Sequence, residues 1–277
     1  MGQRIRLTLI LLIFAISVTD CHLETKNIQT SEIANIESVE VEAAPLSVIA
    51  IFAHPDDETW ISGTLAKLAD HGVRVFPVYA TSGDAGNDHS GKGLSGSELA
   101  LIREKEAVTA SQILDLQSPI FLRFPDGKLH QYRQEAIKQL KGIIEREEPF
   151  AMLTFAEGGI TDNRDHKTLN RLVSAYFNQL ASYFGVSHSR AKDLSISAKK
   201  FGFDYRVAVP VEDAAVTIRV DVSSYKVKRV RAMASHKTQF PPAMIKAYAD
   251  YSGSASMEEI ICVDGGGGSV LLKLLAR

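Results

Sequence analysis

Hydrophobic residues in this chain occur in short continuous runs that alternate with longer segments whose apolar residues recur at helical spacing. The run Ser47–Ala53 is typical of a strand buried on both faces of a parallel sheet. Further strands are predicted at 73–80, 119–123 and 150–155, with helices at about 60–71, 97–115, 131–147 and 166–184. This alternation predicts an α/β fold with a mostly parallel, doubly wound sheet.

The pattern is less regular after residue 184. Residues 185–200 are rich in Ser and Lys and predict a surface excursion. Additional C-terminal strands are predicted at 203–210, 214–222 and 259–263, with a helix at 224–235 and a short helix after Pro241-Pro242. The run Gly265–Gly268 lacks the Lys-Ser/Thr of a phosphate-binding loop, so it predicts a loose loop that opens a tail at 265–277. The folded domain is therefore predicted to span 46–264.

The N-terminus has the pattern of a secretory signal. Arg4 and Arg6 precede an apolar and hydroxylic run, Leu7–Val18, that is too short to span a hydrocarbon core of about 30 Å. We therefore predict a signal peptide at 1–21 and an exported protein, whether periplasmic, attached to the cell envelope or extracellular. Cys21 offers the alternative of a lipid anchor, although Asp20 stands where a lipoprotein signal normally has a small residue.

Composition narrows the range of partners. Residues 22–45 are polar and rich in glutamate, which predicts a flexible tether. A net charge of −2 provides no global positive field for nucleic acid, so we expect a small or uncharged substrate. Two cysteines exclude both a disulfide framework and a cysteine-built zinc site. The sequence does not indicate the oligomeric state.

Polar clusters follow four of the predicted strands, at 54–58, 81–88, 124–128 and 156–166. One polar loop after a strand is ordinary, because most such loops are polar. In open α/β sheets, however, ligands bind at the carboxyl ends of the strands, so the four clusters together predict one binding site.

The first cluster predicts a metal site. Asp56, Asp57 and Glu58 follow a buried strand directly, and like charges crowded there are costly unless a cation is bound. His54 and Asp57 suit zinc, and His166, in the loop after the strand at 150–155, is the candidate third ligand. Asp56 is the candidate general base. A surface histidine at a helix start is the ordinary alternative for His166.

Five motifs in order resemble the PIG-L/LmbE-like family of zinc-dependent N-acetylglucosaminyl deacetylases. The resemblance covers about residues 47–240, and its most specific part is the hexapeptide Ala53–Glu58. The motifs are Ala53-His-Pro-Asp-Asp-Glu58, Thr81-Ser-Gly-Asp-Ala-Gly86, the helix with Arg103 and Glu106, Arg123-Phe-Pro-Asp-Gly127, and Asp165-His166.

The resemblance implies a Rossmann-like fold and a role for each matched residue. His54, Asp57 and His166 are expected to hold Zn²⁺, and Asp56 to act as general base on zinc-bound water. Arg103 and Asp126 match positions that contact sugar hydroxyls, and His236 matches a distal histidine near the active site. The ordinary alternatives are an exposed Arg103–Glu106 ion pair, a plain turn at Asp126-Gly127 and a helix-end charge at His236.

One position departs from the family pattern. Where the family usually has His-Pro-Asp-His, this chain has Asn163-Arg-Asp-His166. An asparagine amide can donate a hydrogen bond to a developing oxyanion, but it cannot deliver a proton. The acid that protonates the leaving amine is then Asp56 after its first proton transfer, or another group such as His236.

The predicted reaction is therefore removal of an N-acetyl group from an N-acetylglucosamine-type sugar or glycoconjugate. An alternative, motivated by Asn163, is a catalytically weak metal-binding or carbohydrate-binding protein of the same fold. A magnesium site for phosphoryl transfer at Asp56-Asp57 is disfavoured, because His54 and His166 suit zinc better. The identity of the N-acetylated substrate stays open.

Overall fold

The central feature of the fold is one mixed sheet. The computed structural model describes residues 45–263 and 267–276, so the predicted signal peptide, Cys21 and nearly all of the predicted tether lie outside the described residues. Within them, seven strands pair in the order β3-β2-β1-β4-β5-β7-β6. The strands are β1 (Ser47–Phe52), β2 (Arg74–Thr81), β3 (Ile120–Phe124), β4 (Ala151–Phe155), β5 (Ala181–Phe184), β6 (Ile218–Asp221) and β7 (Met257–Cys262).

Strands β1 to β5 are parallel, whereas β7 runs antiparallel to both β5 and β6. The central strand β1 is buried along its whole length, as its uninterrupted apolar sequence predicts. The mostly parallel, doubly wound α/β fold with additional C-terminal strands is thus confirmed. The polar loops after β1, β2, β3 and β4 all leave from the carboxyl edge of the parallel strands, where ligands bind in such sheets.

The helices cover both faces of the sheet. They are α1 (Ser62–Asp70), α2 (Gly96–Ile113), α3 (Arg133–Glu147), α4 (Gly159–Asp162), α5 (Arg164–Tyr176), α6 (His188–Lys200), α7 (Lys226–Ser235), α8 (Pro242–Ser254) and α9 (Gly267–Leu275). The chain builds outward from β1 to β3 and then returns to β4 and β5. Right-handed crossovers consequently place α1 and α3 on opposite faces. None of the described helices combines the length and hydropathy needed to cross a bilayer.

Two predicted elements near the middle of the chain were wrong. The helix predicted at 166–184 ends at Tyr176, and its second part is the buried strand β5. Because β5 has only four residues, it hardly interrupts the helical spacing of apolar residues on which the prediction rested. Residues 185–200 are not a loose excursion, because Ser187 caps a helix there by accepting a hydrogen bond from the Arg190 N–H.

Two predictions near the C-terminus also differ from the structure. The segment 203–210 forms no strand and contributes only an isolated bridge between Val209 and Ile160. Residues 267–275, predicted as part of a tail, form α9, which buries Leu271 and Leu275 and packs against β4, β5 and α1. The predicted domain bounds themselves stay a prediction.

Candidate functional site

Three predicted metal ligands converge beyond the carboxyl ends of β1 and β4. His54 Nδ1 lies 3.3 Å from Asp57 Oδ2 and 3.2 Å from His166 Nε2. His166 Nε2 lies 3.2 Å from Asp57 Oδ1. Residues 112 positions apart in sequence therefore direct one donor atom each to one small volume.

The spacing of these atoms fits a zinc ion. Tetrahedral Zn²⁺ with bonds of about 2.0–2.1 Å separates its donor atoms by about 3.4 Å, close to the 3.2 Å between His54 Nδ1 and His166 Nε2. One Asp57 oxygen lies 3.3 Å from the first nitrogen and the other lies 3.2 Å from the second. Two imidazoles and one carboxylate are also a donor set typical of zinc. We call His54, Asp57 and His166 the ligand triad.

Neighbouring acceptors fix the orientation of both imidazoles. His54 Nε2 lies 3.0 Å from Asp126 Oδ1, and His166 Nδ1 lies 2.8 Å from the Gly159 carbonyl oxygen. Because these acceptors take the ring N–H, the lone pairs of His54 Nδ1 and His166 Nε2 face the centre of the triad. Phe155 stacks on the His166 ring at 4.0 Å and further restricts its rotation.

A second group of possible ligands, His54, Asp126 and Asp165, lies on the other side of the His54 ring. The Asp165 carboxylate already accepts hydrogen bonds from the Gly127 N–H at 2.7 Å and the Leu129 N–H at 3.2 Å. It thereby holds the loop that carries Asp126. This group therefore supports the triad and fits a metal less well than the triad does.

The charges around the triad favour a bound cation. Burial lowers the pKa of His54, but hydrogen bonds to Asp126 and Asp57 and their negative charges raise it overall. Burial raises the pKa of Asp57, whereas the charge and hydrogen bond of His166 lower it overall. Burial and the Asp57 charge raise the pKa of Asp56. Positive charge is thus stabilised at this place in the structure.

Asp56 has a strained backbone beside the triad. Its φ of 116° lies in the left-handed region that non-glycine residues rarely adopt. The Glu58 carboxylate holds this conformation by accepting the Asp56 N–H at 3.1 Å and the Tyr79 hydroxyl at 2.9 Å. The His236 ring also bonds to Glu58. Glu58 is fully buried, so it holds the Asp56 backbone without being exposed to the cavity.

His236 lies next to the site, behind Glu58. Its side chain is fully buried against Glu58, and it is not among the residues that line the cavity over the triad. His236 is therefore placed to act on the site through Glu58, and a direct role for it as the acid stays a prediction. Burial lowers the pKa of His236, but the Glu58 charge and hydrogen bond raise it overall, which favours a buried ion pair.

Arg103 and Glu106 are both buried and do not form the exposed ion pair of the ordinary alternative. Arg103 lines the cavity and donates hydrogen bonds to the carbonyl oxygens of Gly83 and Asn87 at 2.8 and 3.0 Å. A Cβ at Gly86 would lie 2.3 Å from the Arg103 guanidinium, so a larger residue there would displace that guanidinium. Glu106 instead accepts hydrogen bonds from the Thr238 N–H and hydroxyl.

Asn163 begins α5 and also lines the cavity. Its Oδ1 accepts the Asp165 N–H at 2.7 Å and the His166 N–H at 3.4 Å, so its side chain caps the helix that carries His166. Within the described residues, the Nδ2 amide has no hydrogen-bond partner. Because Asn163 lines the cavity, its amide is a candidate donor to a bound substrate.

The cavity over the triad has a volume of about 830 Å³. On one side it is lined by Arg103, Asp126 and the glycine-bearing loops after β2 and β3. The segment from α6 to α8 contributes apolar side chains that we call the apolar wall, Leu194, Phe203, Met244, Tyr248 and Tyr251, and also the polar residues Arg190, Asp204 and Tyr205. Sequence analysis missed this wall. The helical spacing of Met244, Tyr248 and Tyr251 indicates that the three side chains share one face of a helix. It does not indicate that this face lies next to a cavity.

The doubly wound sheet carries a candidate His-Asp-His metal site at its carboxyl edge, inside an α/β cavity. Residues 49–177 match the PIG-L family model, described as GlcNAc-PI de-N-acetylase. Residues 49–177 therefore resemble a PIG-L domain, and the resemblance seen in the motifs is confirmed.

Relatives of known name agree with this assignment. The diacetylchitobiose deacetylase of Thermococcus kodakarensis is 27% identical over 216 residues, which cover 74% of each chain. The structure of N,N'-diacetylchitobiose deacetylase from Pyrococcus horikoshii has 25% identity and a TM-score of 0.56, covering 78% of this chain and 81% of that chain.

A more distant structure shows that the fold hosts other chemistry. The 4-carboxy-2-hydroxymuconate hydratase GalB from Pseudomonas putida has 17% identity and a TM-score of 0.54, covering 78% of this chain and 95% of that chain. The fold alone does not define the reaction, so function has to be argued from the site.

Proposed function

We propose that this protein is a zinc-dependent amide hydrolase that removes the N-acetyl group from an N-acetylglucosamine-type sugar or glycoconjugate. The observation that carries the proposal is the convergence of the three donor atoms of the ligand triad beside Asp56 in one cavity. The names of the relatives, which are deacetylases of N-acetylated sugars, support the same reaction class.

His54, Asp57 and His166 would hold the zinc ion. When bound, zinc supplies a Lewis acid that polarises the amide carbonyl and lowers the pKa of water. Asp56 is the proposed base that takes a proton from the attacking water. The hydrogen bond from its N–H to Glu58 fixes the position of its side chain relative to the triad.

The remaining polar groups fit the other steps of amide hydrolysis. The Asn163 amide can donate to the carbonyl oxygen as negative charge develops there, a contribution worth about 3–4 kcal/mol in a well-placed site. Because His236 does not line the cavity, Asp56 is the proposed donor that returns the proton to the leaving amine. Arg103 is the proposed contact for sugar hydroxyls.

The experiment measures bound metal and amine release on the purified protein. We expect about one zinc per chain and release of amine and acetate from N-acetylglucosamine derivatives, lost on chelation and restored by zinc. Asp56→Asn should lower turnover by at least about 10²-fold while zinc stays bound. Full turnover in that variant would contradict the role of Asp56 as base.

A second candidate function is metal or carbohydrate binding with little catalysis, which is favoured by the asparagine at position 163. The same experiment separates the two functions. Zinc and sugar binding without amine release from any N-acetylated sugar would support the binding protein and contradict the hydrolase.

A further inference from the structure

The strand order of the sheet places the two sides of the cavity on either side of the ligand triad. Arg103 and Asp126 belong to elements that follow β2 and β3, on one side of β1 in the sheet. The triad follows β1 and β4 at the centre. Leu194 lies on α6, after β5, and the other helical members of the apolar wall lie on α8, before β7. The polar side and the apolar wall therefore lie on opposite sides of the triad.

The polar atoms of the apolar wall are already used within the protein. The Tyr251 hydroxyl accepts a hydrogen bond from Arg190 Nε at 2.7 Å, and the Tyr248 hydroxyl donates to the Thr59 carbonyl oxygen at 2.9 Å. Arg190 also donates to the Trp60 carbonyl oxygen at 2.8 Å. These bonds hold both tyrosines. Tyr251 is fully buried at the back of the wall, whereas the partly exposed Tyr248 lines the cavity with Leu194 and Met244.

A wall of this kind suits an apolar group and is unfavourable for hydroxyl groups. A sugar hydroxyl that left water for this surface would lose hydrogen bonds that the wall cannot replace, at a cost of about 1–3 kcal/mol each. An apolar group gains about 25 cal/mol for each Å² that it buries there. A second sugar ring is therefore a poorer occupant than a hydrocarbon chain or an aromatic ring.

The position of the apolar wall indicates which part of the substrate lies against it. In an amide bound at the triad, the amine and acyl substituents leave the scissile bond in opposite directions. With Arg103, the proposed sugar contact, next to the amino sugar, the acyl group extends toward the apolar wall. Resting on the proposed hydrolase function, we infer that the preferred substrate is an N-acylated amino sugar whose acyl group is apolar and larger than acetyl.

The first test compares N-acetyl-, N-butanoyl-, N-hexanoyl- and N-phenylacetylglucosamine by amine release with the zinc-loaded enzyme. We expect kcat/KM for the hexanoyl amide to exceed that for the acetyl amide by at least about tenfold. The upper limit is ~200-fold, because each fully buried methylene contributes up to about fourfold. Octyl N-acetylglucosaminide and N,N'-diacetylchitobiose serve as parallel substrates in which the added group is on the sugar.

A matched pair of variants on α6 tests the wall itself. Leu194 lines the cavity, whereas Ile196 on the same helix is 47% exposed and does not. Leu194→Asn should lower the hexanoyl-to-acetyl ratio of kcat/KM by about tenfold, because a polar side chain replaces an apolar contact of similar volume. Ile196→Asn should leave that ratio unchanged.

The outcomes separate this inference from the function on which it rests. Acetyl as the best acyl group, or a ratio that Leu194→Asn does not change, overturns the inference and leaves the deacetylase intact. A rate gain confined to the octyl glycoside or to the disaccharide overturns the assignment of the wall to the acyl side. No amine release from any of the N-acyl sugars overturns the proposed function itself.

Discussion

At the scale of single residues, His54 is the centre of the site because each ring nitrogen has a separate partner. Nδ1 faces Asp57 and His166, and Nε2 bonds to Asp126. The sequence predicted His54 as a metal ligand. For Asp126 the family resemblance implied a contact with sugar hydroxyls. The contact between Asp126 and His54 could not be predicted from a single chain, because it joins loops after β1 and β3.

Asp126→Ala should therefore weaken zinc binding by about 10–100-fold, as expected when the partner of a ligating histidine is lost. Competition with a chelator of known affinity measures this effect without any substrate. Asp204→Ala is the control, because Asp204 lines the same cavity and is exposed. An Asp126→Ala variant with unchanged zinc affinity and raised KM would favour a role restricted to sugar binding.

His236→Gln should lower the free energy of unfolding by about 1–3 kcal/mol near pH 6, because a hydrogen bond to a buried charged group is weakened. The pKa of His236 is raised in the folded state, so its ionised form stabilises the fold fully below the unfolded pKa of about 6.5. That contribution is lost as pH rises through the folded pKa.

Urea unfolding of the wild type and His236→Gln at pH 6, 7.5 and 9, with chelator present to remove linkage to metal, measures the pH dependence. We expect the difference in unfolding free energy to narrow as pH rises. His71→Gln, at an exposed histidine, is the control and should show no such trend. A difference that grows with pH would exclude an ionised His236–Glu58 pair.

At the scale of secondary-structure elements, the residue that caps α5 also lines the cavity, and α5 itself carries the ligand His166. Asn163 caps the helix through Oδ1, and the helix begins two residues before His166. The sequence predicted a helix near this position, and asparagine is one of the residue types preferred at an N-cap. Only the structure shows that one side chain both starts the helix and reaches the cavity.

Two substitutions of Asn163 separate its roles. Asn163→Ser keeps a capping oxygen but removes the amide donor, so stability should change little while turnover falls by about 10²–10³-fold. Asn163→Ala should lose the same activity and also about 1 kcal/mol of stability. Thermal unfolding and amine release on each variant provide the comparison. If Asn163→Ser retained turnover, the proposed oxyanion contact would be wrong.

The elements that the sequence misassigned have a common cause. Helix α6 buries only Arg190, Ser197 and Ala198, so its weak apolar face resembled a surface segment. Strand β5 follows α5 after a short loop and continues its apolar spacing. In both places packing against neighbouring elements overrides the local pattern. By contrast, β1 was predicted correctly because burial on both faces leaves an uninterrupted apolar run.

At the scale of the whole molecule, the parallel part of the sheet was predictable and its C-terminal edge was not. Alternation of strands and helices indicates parallel order from β1 to β5, since each crossover returns the chain in the same direction. Nothing in the local sequence of β7 indicates that it inserts antiparallel between β5 and β6. Helix α8, which precedes β7, packs against α6 and α7 and contributes Met244 and Tyr248 to the apolar wall.

Long-range packing also holds α9 against β4 and β5. Gly267 begins α9 so close to the sheet that an added Cβ would lie 2.1 Å from the Phe150 carbonyl oxygen. Backbone must move to accept it, so Gly267→Ala should lower the free energy of unfolding by about 1–3 kcal/mol. Gly142→Ala is the matched control, because no atom lies within 4 Å of its added Cβ and α3 should gain up to about 1 kcal/mol. Urea unfolding measures both; equal stability changes in the two variants would mean that α9 does not stabilise the domain.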